Sequence, residues 1–362
     1  MKFGVALCPE IGNWAIAKRL ESLGFDKLWF GDSHMLWSDC YATMALAAAN
    51  TDTIKLGTGM TNPGTRIAPV TAAAIATINQ IAPGRVFLGI GTGHTSLRLM
   101  GQPPATVAEF TDYIRTVRRL LNGEAVDYVL AGRTTEIQFM HPPGAYADIK
   151  TRIPIYIAAH GPRMQHLAGE LGNGWMVGGV TGEQAVENIG QVRAGAERSG
   201  RRLPDGFMMG NTIGLCLLRP GEILTSERVI NHTGSLVTTA LHLVYEIWEK
   251  SHRDDAVIPP FFMEIWSDYV ARVENYSLPP SGRFRQIHEG HGTVLLEDER
   301  RFVTPDAIRG TCVVGTPDEV IGQLRDLAQI GFTDICLLPP ADYLEEICSE
   351  FAELIMPTLQ DV

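Results

Sequence analysis

The residues best able to do chemistry fall in five short corners. These are Asp32-Ser33-His34 with Trp37 just beyond, Gly59-Met60-Thr61-Asn62, Gly91-Thr92-Gly93-His94, Ala159-His160-Gly161 and Val177-Gly178-Gly179. Four of them are glycine-rich, and two set a histidine directly beside a glycine. Without a Cβ, backbone N–H groups can approach a phosphate or a flat ring closely. Histidine titrates near neutrality and can give or take a proton. The chemistry open to such corners is cofactor binding by backbone, with His34, His94 and His160 as the acid/base groups. The plainer alternative is that the glycines only turn the chain.

The elements that must carry these corners are short apolar runs at 3–7, 27–30, 54–57, 86–90, 153–159, 174–177, 207–218 and 334–338. Their apolarity is continuous rather than alternating, as parallel strands buried on both faces require. Helix-period segments alternate with them at 14–23, 70–81, 110–121, 163–171, 183–198, 317–330 and 342–356. Strand–helix alternation of that number predicts a single (β/α)8 TIM barrel with insertions, spanning 1–362, with an open doubly wound sheet as the alternative. The corners then gather at the C-terminal mouth. Two stretches break the repeat: 126–139 reads as an inserted hairpin turning at Ala131-Gly132, and 226–304 as a helical and loop insertion near the mouth.

Composition narrows the function. At 362 residues, 45% hydrophobic and a formal charge of −11, the chain has a large core and no basic patch for nucleic acid or an anionic membrane. No apolar run is long enough to cross a bilayer and the N-terminus lacks a secretory pattern, so a cytoplasmic enzyme is expected. The six cysteines have no metal-type pairing and read as buried thiols. Gly89, Gly91 and Gly93 lack the spacing and the downstream acid of a dinucleotide fingerprint. His288-Glu289-Gly290-His291 lacks the two-residue gap of a zinc-binding helix, so no metal is expected; it reads as a structured loop offering His288 and His291 to a substrate. Trp37 lines the substrate wall or packs in the core. His242 and His252 read as solvated or capping. Phe261, Phe262, Trp266 and Tyr269 suggest either a lipophilic or aromatic substrate or packing on the barrel.

The order LWFGDSHMLW, LGTGMTNP, RVFLGIGTG, IPIYIAAHGP and NGWMVGG is similar to the luciferase-like flavin- and deazaflavin-dependent oxidoreductases, in the branch that contains methylenetetrahydromethanopterin reductase. The resemblance implies a barrel with the cofactor ring at its mouth and a cis peptide at Gly59–Met60. It implies Asp32 and Ser33 at the ring edge and Thr61 and Asn62 near the ring's polar part. Gly91, Thr92, Gly93 and His94 would run along the ring and its side chain, with Ala159, His160, Gly161, Val177, Gly178 and Gly179 around the phosphate. Where the sugar-phosphate dehydrogenases of this branch have His and Glu, this chain has Ser33 and His94. Two chemistries are implied: hydride transfer with coenzyme F420, or oxygenation with reduced FMN supplied by a separate flavin reductase. A non-catalytic flavin-binding barrel is a further alternative. A homodimer is implied by family similarity.

Overall fold

Short runs of Val, Ile, Leu and Phe buried on both faces form the strands, and the computed structural model describes residues 1–359. In chain order the strands are β1 (Lys2–Leu7), β2 (Lys27–Phe30), β3 (Lys55–Thr58), β4 (Val86–Ile90), β5 (Val126–Leu130), β6 (Arg133–Ile137), β7 (Ile155–Ala158), β8 (Gly174–Gly178), β9 (Met208–Leu217), β10 (Cys312–Gly315) and β11 (Asp334–Leu337). The chain divides into two compact units, one of residues 2–211 with 330–335, the other of 212–329 with the C-terminal stretch from 336.

The first unit holds the closed barrel. Strands β1, β2, β3, β4, β7 and β8 follow one another in the sheet, and β8 pairs with β9. Closure comes from two backbone bonds of Thr333: its N–H donates to Met209 O at 2.9 Å, and its carbonyl accepts from Lys2 N at 2.9 Å. The register is parallel throughout, with Trp29 opposite Gly57 and Gly57 opposite Phe87. Gly57 has a steric reason: a Cβ there would lie 2.1 Å from the Phe87 ring. The space it leaves lets Trp29 and Phe87 meet with ring centroids 4.4 Å apart, and Tyr156 joins at 5.1 Å from Phe87. Beneath them Lys27 and Asp334 form a buried ion pair. Such a layer makes the barrel interior a packed core rather than a pore.

Helices follow the strands as the periodicity predicts, several starting a residue or two early. Val107–Leu121 begins with a full capping box between Thr106 and Glu109. No helix is expected between the second and third strands, yet Cys40–Ala49 is one, with the Asp39 side chain accepting from Ala42 N. Its alanine-rich sequence is buried around most of its circumference, so it shows no polar stripe. Strands β5 and β6 pair antiparallel from Val126↔Ile137 to Leu130↔Arg133, turning at Ala131 and Gly132 with φ of 50° and 77°.

The second unit is mainly helical. The helix Glu227–Lys250 and the helix Met263–Glu274 enclose an aromatic core of Tyr245, Trp248, Phe262, Trp266, Tyr269 and Phe302. A strand at 312–315 was not expected, because four residues carry little pattern. It exists because Cys312–Gly315 pairs in parallel with Gly214–Leu217 of β9. No helix among the described residues is long and apolar enough to cross a membrane.

Candidate active site

The first two corners meet through one carboxylate. Asp32 follows β2, is 6% exposed, and accepts at Oδ2 a hydrogen bond of 2.7 Å from Thr61 Oγ1. Thr61 is placed by backbone pairing: its N–H donates to Gly89 O at 3.0 Å and its carbonyl accepts from Gly91 N at 2.9 Å. The Gly59–Met60 peptide bond between them and β3 is cis, as the resemblance implies. Gly91 brings a third corner in: a Cβ on it would stand 3.5 Å from Ala158 Cβ and 3.7 Å from Met60 Cβ. The ends of β3, β4 and β7 therefore lie side by side, with small or flexible groups facing one another.

Asn62 is fully buried and its amide is used in shaping the loop. Nδ2 donates to Ser96 Oγ at 2.8 Å, and Oδ1 accepts from Gly64 N at 3.0 Å and Thr65 N at 3.1 Å. Gly93, at φ 86°, leaves room for it; a Cβ would fall 2.9 Å from Asn62 Cγ. Thr92 is half-buried, and His94 opens the short helix His94–Arg98 with its side chain exposed. Ser33 is buried, and its carbonyl accepts from Leu36 N and Trp37 N, forming the turn on which His34 sits. His34 is half-buried, and its Nε2 is a buried atom without a hydrogen-bond partner. Trp37 is half-buried and fills the space beside Gly31, where a Cβ would lie 2.6 Å from its ring.

The fourth and fifth corners open helices. Gly161 precedes Pro162–Leu171 and Thr181 precedes Gly182–Arg198. Helix N-termini carry unpaired N–H groups and partial positive charge, the ordinary setting for a phosphate. A Cβ added at Gly161, Gly179 or Gly182 would meet nothing within 4 Å, and Gly179 and Gly182 take φ of 66° and 57°. The approach to those N–H groups is therefore open. Val177 is buried and Gly178 half-buried at the end of β8. Ala159 and His160 are held by their carbonyls, which accept from Trp175 Nε1 and Gln165 Nε2, each at 2.8 Å. The His160 ring keeps open surface, yet desolvation by the protein around it lowers its pKa from the ordinary histidine value. The open surface sets the limit on that lowering, and His160 stays neutral at neutral pH.

Three participants escape the sequence motifs. Arg66 places Nε 3.4 Å from Asp32 Oδ2 and an Nη 2.6 Å from Asp39 Oδ2. Burial works against its charge, but the hydrogen bond to Asp39 and the charge of Asp32 outweigh it and hold its pKa above the usual value. Tyr41 lies under Arg66, whose guanidinium carbon is 4.7 Å from the ring centroid, and its buried hydroxyl meets no hydrogen-bond criterion. Burial raises its pKa well above the ordinary tyrosine value. Asn211, in β9, donates from Nδ2 to Val180 O at 2.7 Å while its Oδ1 is buried without a partner. A lone asparagine inside the apolar run at 207–218 is the signal that identifies it, since a buried amide needs a reason.

The second unit corrects two expectations. His242 is 1% exposed rather than solvated or capping, and its Nε2 is 2.9 Å from Glu299 Oε1. Phe262, Trp266 and Tyr269 belong to that unit's aromatic core, so they give no sign of a lipophilic substrate. His288 is 3% exposed, with Nδ1 2.8 Å from Phe284 O, and His291 is half-buried. His252 follows the helix end exposed, at φ 60°.

A barrel whose strand ends present a held carboxylate and open helix N-termini defines a class of cofactor-dependent enzyme. The family described as luciferase-like monooxygenase matches residues 12–334, and the chain belongs to it; it is an oxidoreductase of that family. It is 36% identical over 349 residues to the 5,10-methylenetetrahydromethanopterin reductase of Methanolobus tindarius, covering 92% of this chain and 93% of that one. It is 31% identical over 200 residues to the F420-dependent glucose-6-phosphate dehydrogenase of Kineococcus radiotolerans, covering 51% of this chain and 58% of that one. Among solved structures, the coenzyme F420-dependent tetrahydromethanopterin reductase of Methanopyrus kandleri superposes with a TM-score of 0.68 at 23% identity, covering 99% of each chain, and shares the barrel fold.

Proposed function

We propose that this chain transfers a hydride between coenzyme F420 and a small organic substrate at the strand ends that carry Asp32, Thr61, Gly91 and His94. The observation that carries the reading is the 36% identity across 92% of the chain to a methylenetetrahydromethanopterin reductase. That relative makes 5,10-methylenetetrahydromethanopterin the first substrate to assay.

The residues present fit a flat, phosphate-bearing cofactor. Gly59, Met60, Gly91 and Ala158 offer it a surface without bulky side chains, and Asp32, held by Thr61 and Arg66, is an oriented acceptor. The buried His34 Nε2 and the nearby Ser33 supply polar contact. Asn62 keeps the loop in shape, and Gly93 with Thr92 lines the approach. Ala159, His160, Gly161, Val177, Gly178 and Gly179 receive the phosphate at two helix starts. The reduced deazaflavin supplies a hydride from its carbon 5. His94, exposed at the mouth, gives or takes the accompanying substrate proton, with His34 and His160 as the next candidates. Trp37, His288 and His291 contact substrate. The working form is a homodimer in the cytoplasm, one single-domain barrel per subunit with the 126–139 hairpin and the 226–304 insertion at the mouth; six free thiols favour a reducing compartment.

The family's description as a monooxygenase favours a second reading, in which reduced FMN from a separate reductase oxygenates the substrate. Titration with F420 and with FMN separates the two, followed by turnover without oxygen. Tight F420 binding and anaerobic oxidation of reduced F420 by 5,10-methylenetetrahydromethanopterin support hydride transfer. FMN-only binding with strict oxygen dependence would replace it, and binding of neither below millimolar concentration removes both. Under the first reading, His94→Ala lowers kcat at least ~100-fold with cofactor affinity kept, the usual size of a lost general acid.

A further inference from the structure

The second unit contains a chain of buried polar groups for which the proposed chemistry at the strand ends has no use. Glu299 Oε1 lies 2.9 Å from His242 Nε2 and 3.1 Å from an Arg272 Nη; His242 Nδ1 lies 3.4 Å from His291 Nδ1. The Glu299 and His242 side chains are each 2% exposed. His242 comes from the middle of the long helix Glu227–Lys250, Glu299 from the turn Glu297–Phe302, and His291 from the loop between Gly290 and Gly292, both at positive φ.

Proton positions follow from what each atom can accept. A carboxylate only accepts, so His242 must donate to Glu299 from Nε2–H. The negative charge of Glu299 is already met by Arg272, whose Nε also binds Asp298 at 2.8 Å. An imidazolium at His242 would add a further charge to a nearly water-free site, at a high desolvation cost. His242 is therefore neutral and its Nδ1 is an acceptor. His291 must then donate from Nδ1–H, which leaves Nε2 as the acceptor of its ring. His288 is set separately, since its Nδ1 faces the Phe284 carbonyl and its Nε2 is 3.6 Å from Glu246 Oε1.

We infer that Glu299 and His242 are positioning residues that fix His291 in the Nδ1–H form, so that its Nε2 accepts a hydrogen bond from an N–H or O–H group of the substrate. This rests on the reading that His291 contacts substrate, and it narrows the substrate to one with a donor at that point. A carboxylate behind two histidines in series gives the outer ring a fixed orientation and a fixed acceptor atom. The same histidine on an unsupported loop would exchange tautomers and offer either.

Long-range 15N–1H correlation spectra of the histidine-labelled protein report each ring's protonation directly. Above the histidine titration range the expected pattern is Nε2–H for His242 and Nδ1–H for both His288 and His291. In His242→Phe the His291 pattern moves away from Nδ1–H while His288 keeps its own. A wild-type His291 in the Nε2–H form, or a charged His242, overturns the inference without any variant having to fold. With reduced F420 and 5,10-methylenetetrahydromethanopterin, His242→Phe raises the substrate KM about three- to ten-fold and leaves kcat within two-fold, the size of one lost hydrogen bond. An unchanged KM alongside active wild-type enzyme also overturns it. If the wild type does not turn over this pair, the hydride-transfer reading fails, and the tautomer spectra still decide the arrangement of the three histidines.

Discussion

Two polar clusters in this molecule are built in opposite ways. The cluster around Asp32 stands on the ends of neighbouring strands, and much of it is backbone: Gly89 O, Gly91 N and the N–H groups of Gly64 and Thr65 hold Thr61 and Asn62. The cluster around His242 stands on a helix, a turn and a loop, and side chains alone hold it together. Backbone placement fixes geometry through sheet register, so individual side chains can be changed while the frame persists. Side-chain placement depends on every member. Loss of one buried partner should therefore be felt more in the second cluster than in the first.

Glu299→Ala tests this with the largest expected effect. It leaves Arg272, with its side chain 8% exposed, and His242 without their shared carboxylate. Breaking a buried pair in this way costs about 3–5 kcal/mol. A urea midpoint lowered by less than the equivalent of ~1 kcal/mol would show that the cluster is wet and loosely held. For scale, removing Glu170, in its exposed pair with Arg115 at 3.1 Å, is expected to cost less than about 1 kcal/mol.

The strand-end cluster breaks through backbone crowding instead. A Cβ at Gly89 would lie 2.0 Å from Thr58 O and 2.9 Å from both Met60 Sδ and the Trp29 ring. Relieving that contact must shift β3 against β4. Gly89→Ala is expected to destabilise by about 1–3 kcal/mol and to abolish binding of F420 even where the protein still folds. Full binding by the alanine variant would mean that the cofactor does not depend on this register.

A smaller effect concerns how β3 is presented. Glu21 Oε1 accepts from the N–H groups of Asp52, Thr53 and Ile54 at 2.9, 2.6 and 3.0 Å, just ahead of Lys55. Desolvation opposes its charge, but these bonds prevail and bring its pKa from 4.5 to about 2. Because the folded value is the lower one, the stabilisation is complete above about 4.5 and is lost as pH falls toward about 2. Glu21→Gln should cost about 1–2 kcal/mol at neutral pH and flatten the acid limb of the stability curve, measured by thermal melts across that range. An acid limb of unchanged slope would assign it to other carboxylates.

How much of each cluster could be read from sequence follows from the same contrast. Each strand-end corner is contiguous, so an apolar run followed by glycine, threonine and asparagine announces it, and the barrel itself follows from eight such runs. Arg66 and Tyr41 were missed because their roles depend on how a loop and a helix return toward Asp32, which no local period encodes. His242, His291 and Glu299 are 49 and 57 residues apart from helix to loop and helix to turn, so nothing local links them. His242 even reads as a surface residue, because a histidine beside charged neighbours on an amphipathic helix looks solvated. Likewise β10 has four residues and exists only through its pairing with β9.

The finest comparison lies in two tyrosine hydroxyls. Tyr41 in the first unit and Tyr269 in the second are both buried with hydroxyls that lack a hydrogen-bond partner, and burial raises both pKa values well above the ordinary one. Removing an unpartnered buried hydroxyl while keeping the ring is neutral or slightly stabilising, by at most about 1 kcal/mol. Tyr269→Phe, in an aromatic core 5.3 Å from Phe302, should therefore leave the melting temperature unchanged or raise it slightly, with F420 affinity unaltered. Tyr41→Phe should behave alike in the melt but differ in the titration, because its hydroxyl sits beside Thr61 and Asp32, where the cofactor is proposed to bind. A loss of F420 affinity confined to Tyr41→Phe would show that the orphaned hydroxyl of the strand-end cluster is kept for a ligand. Equal binding by both variants would mean that Tyr41, like Tyr269, is retained for its ring alone.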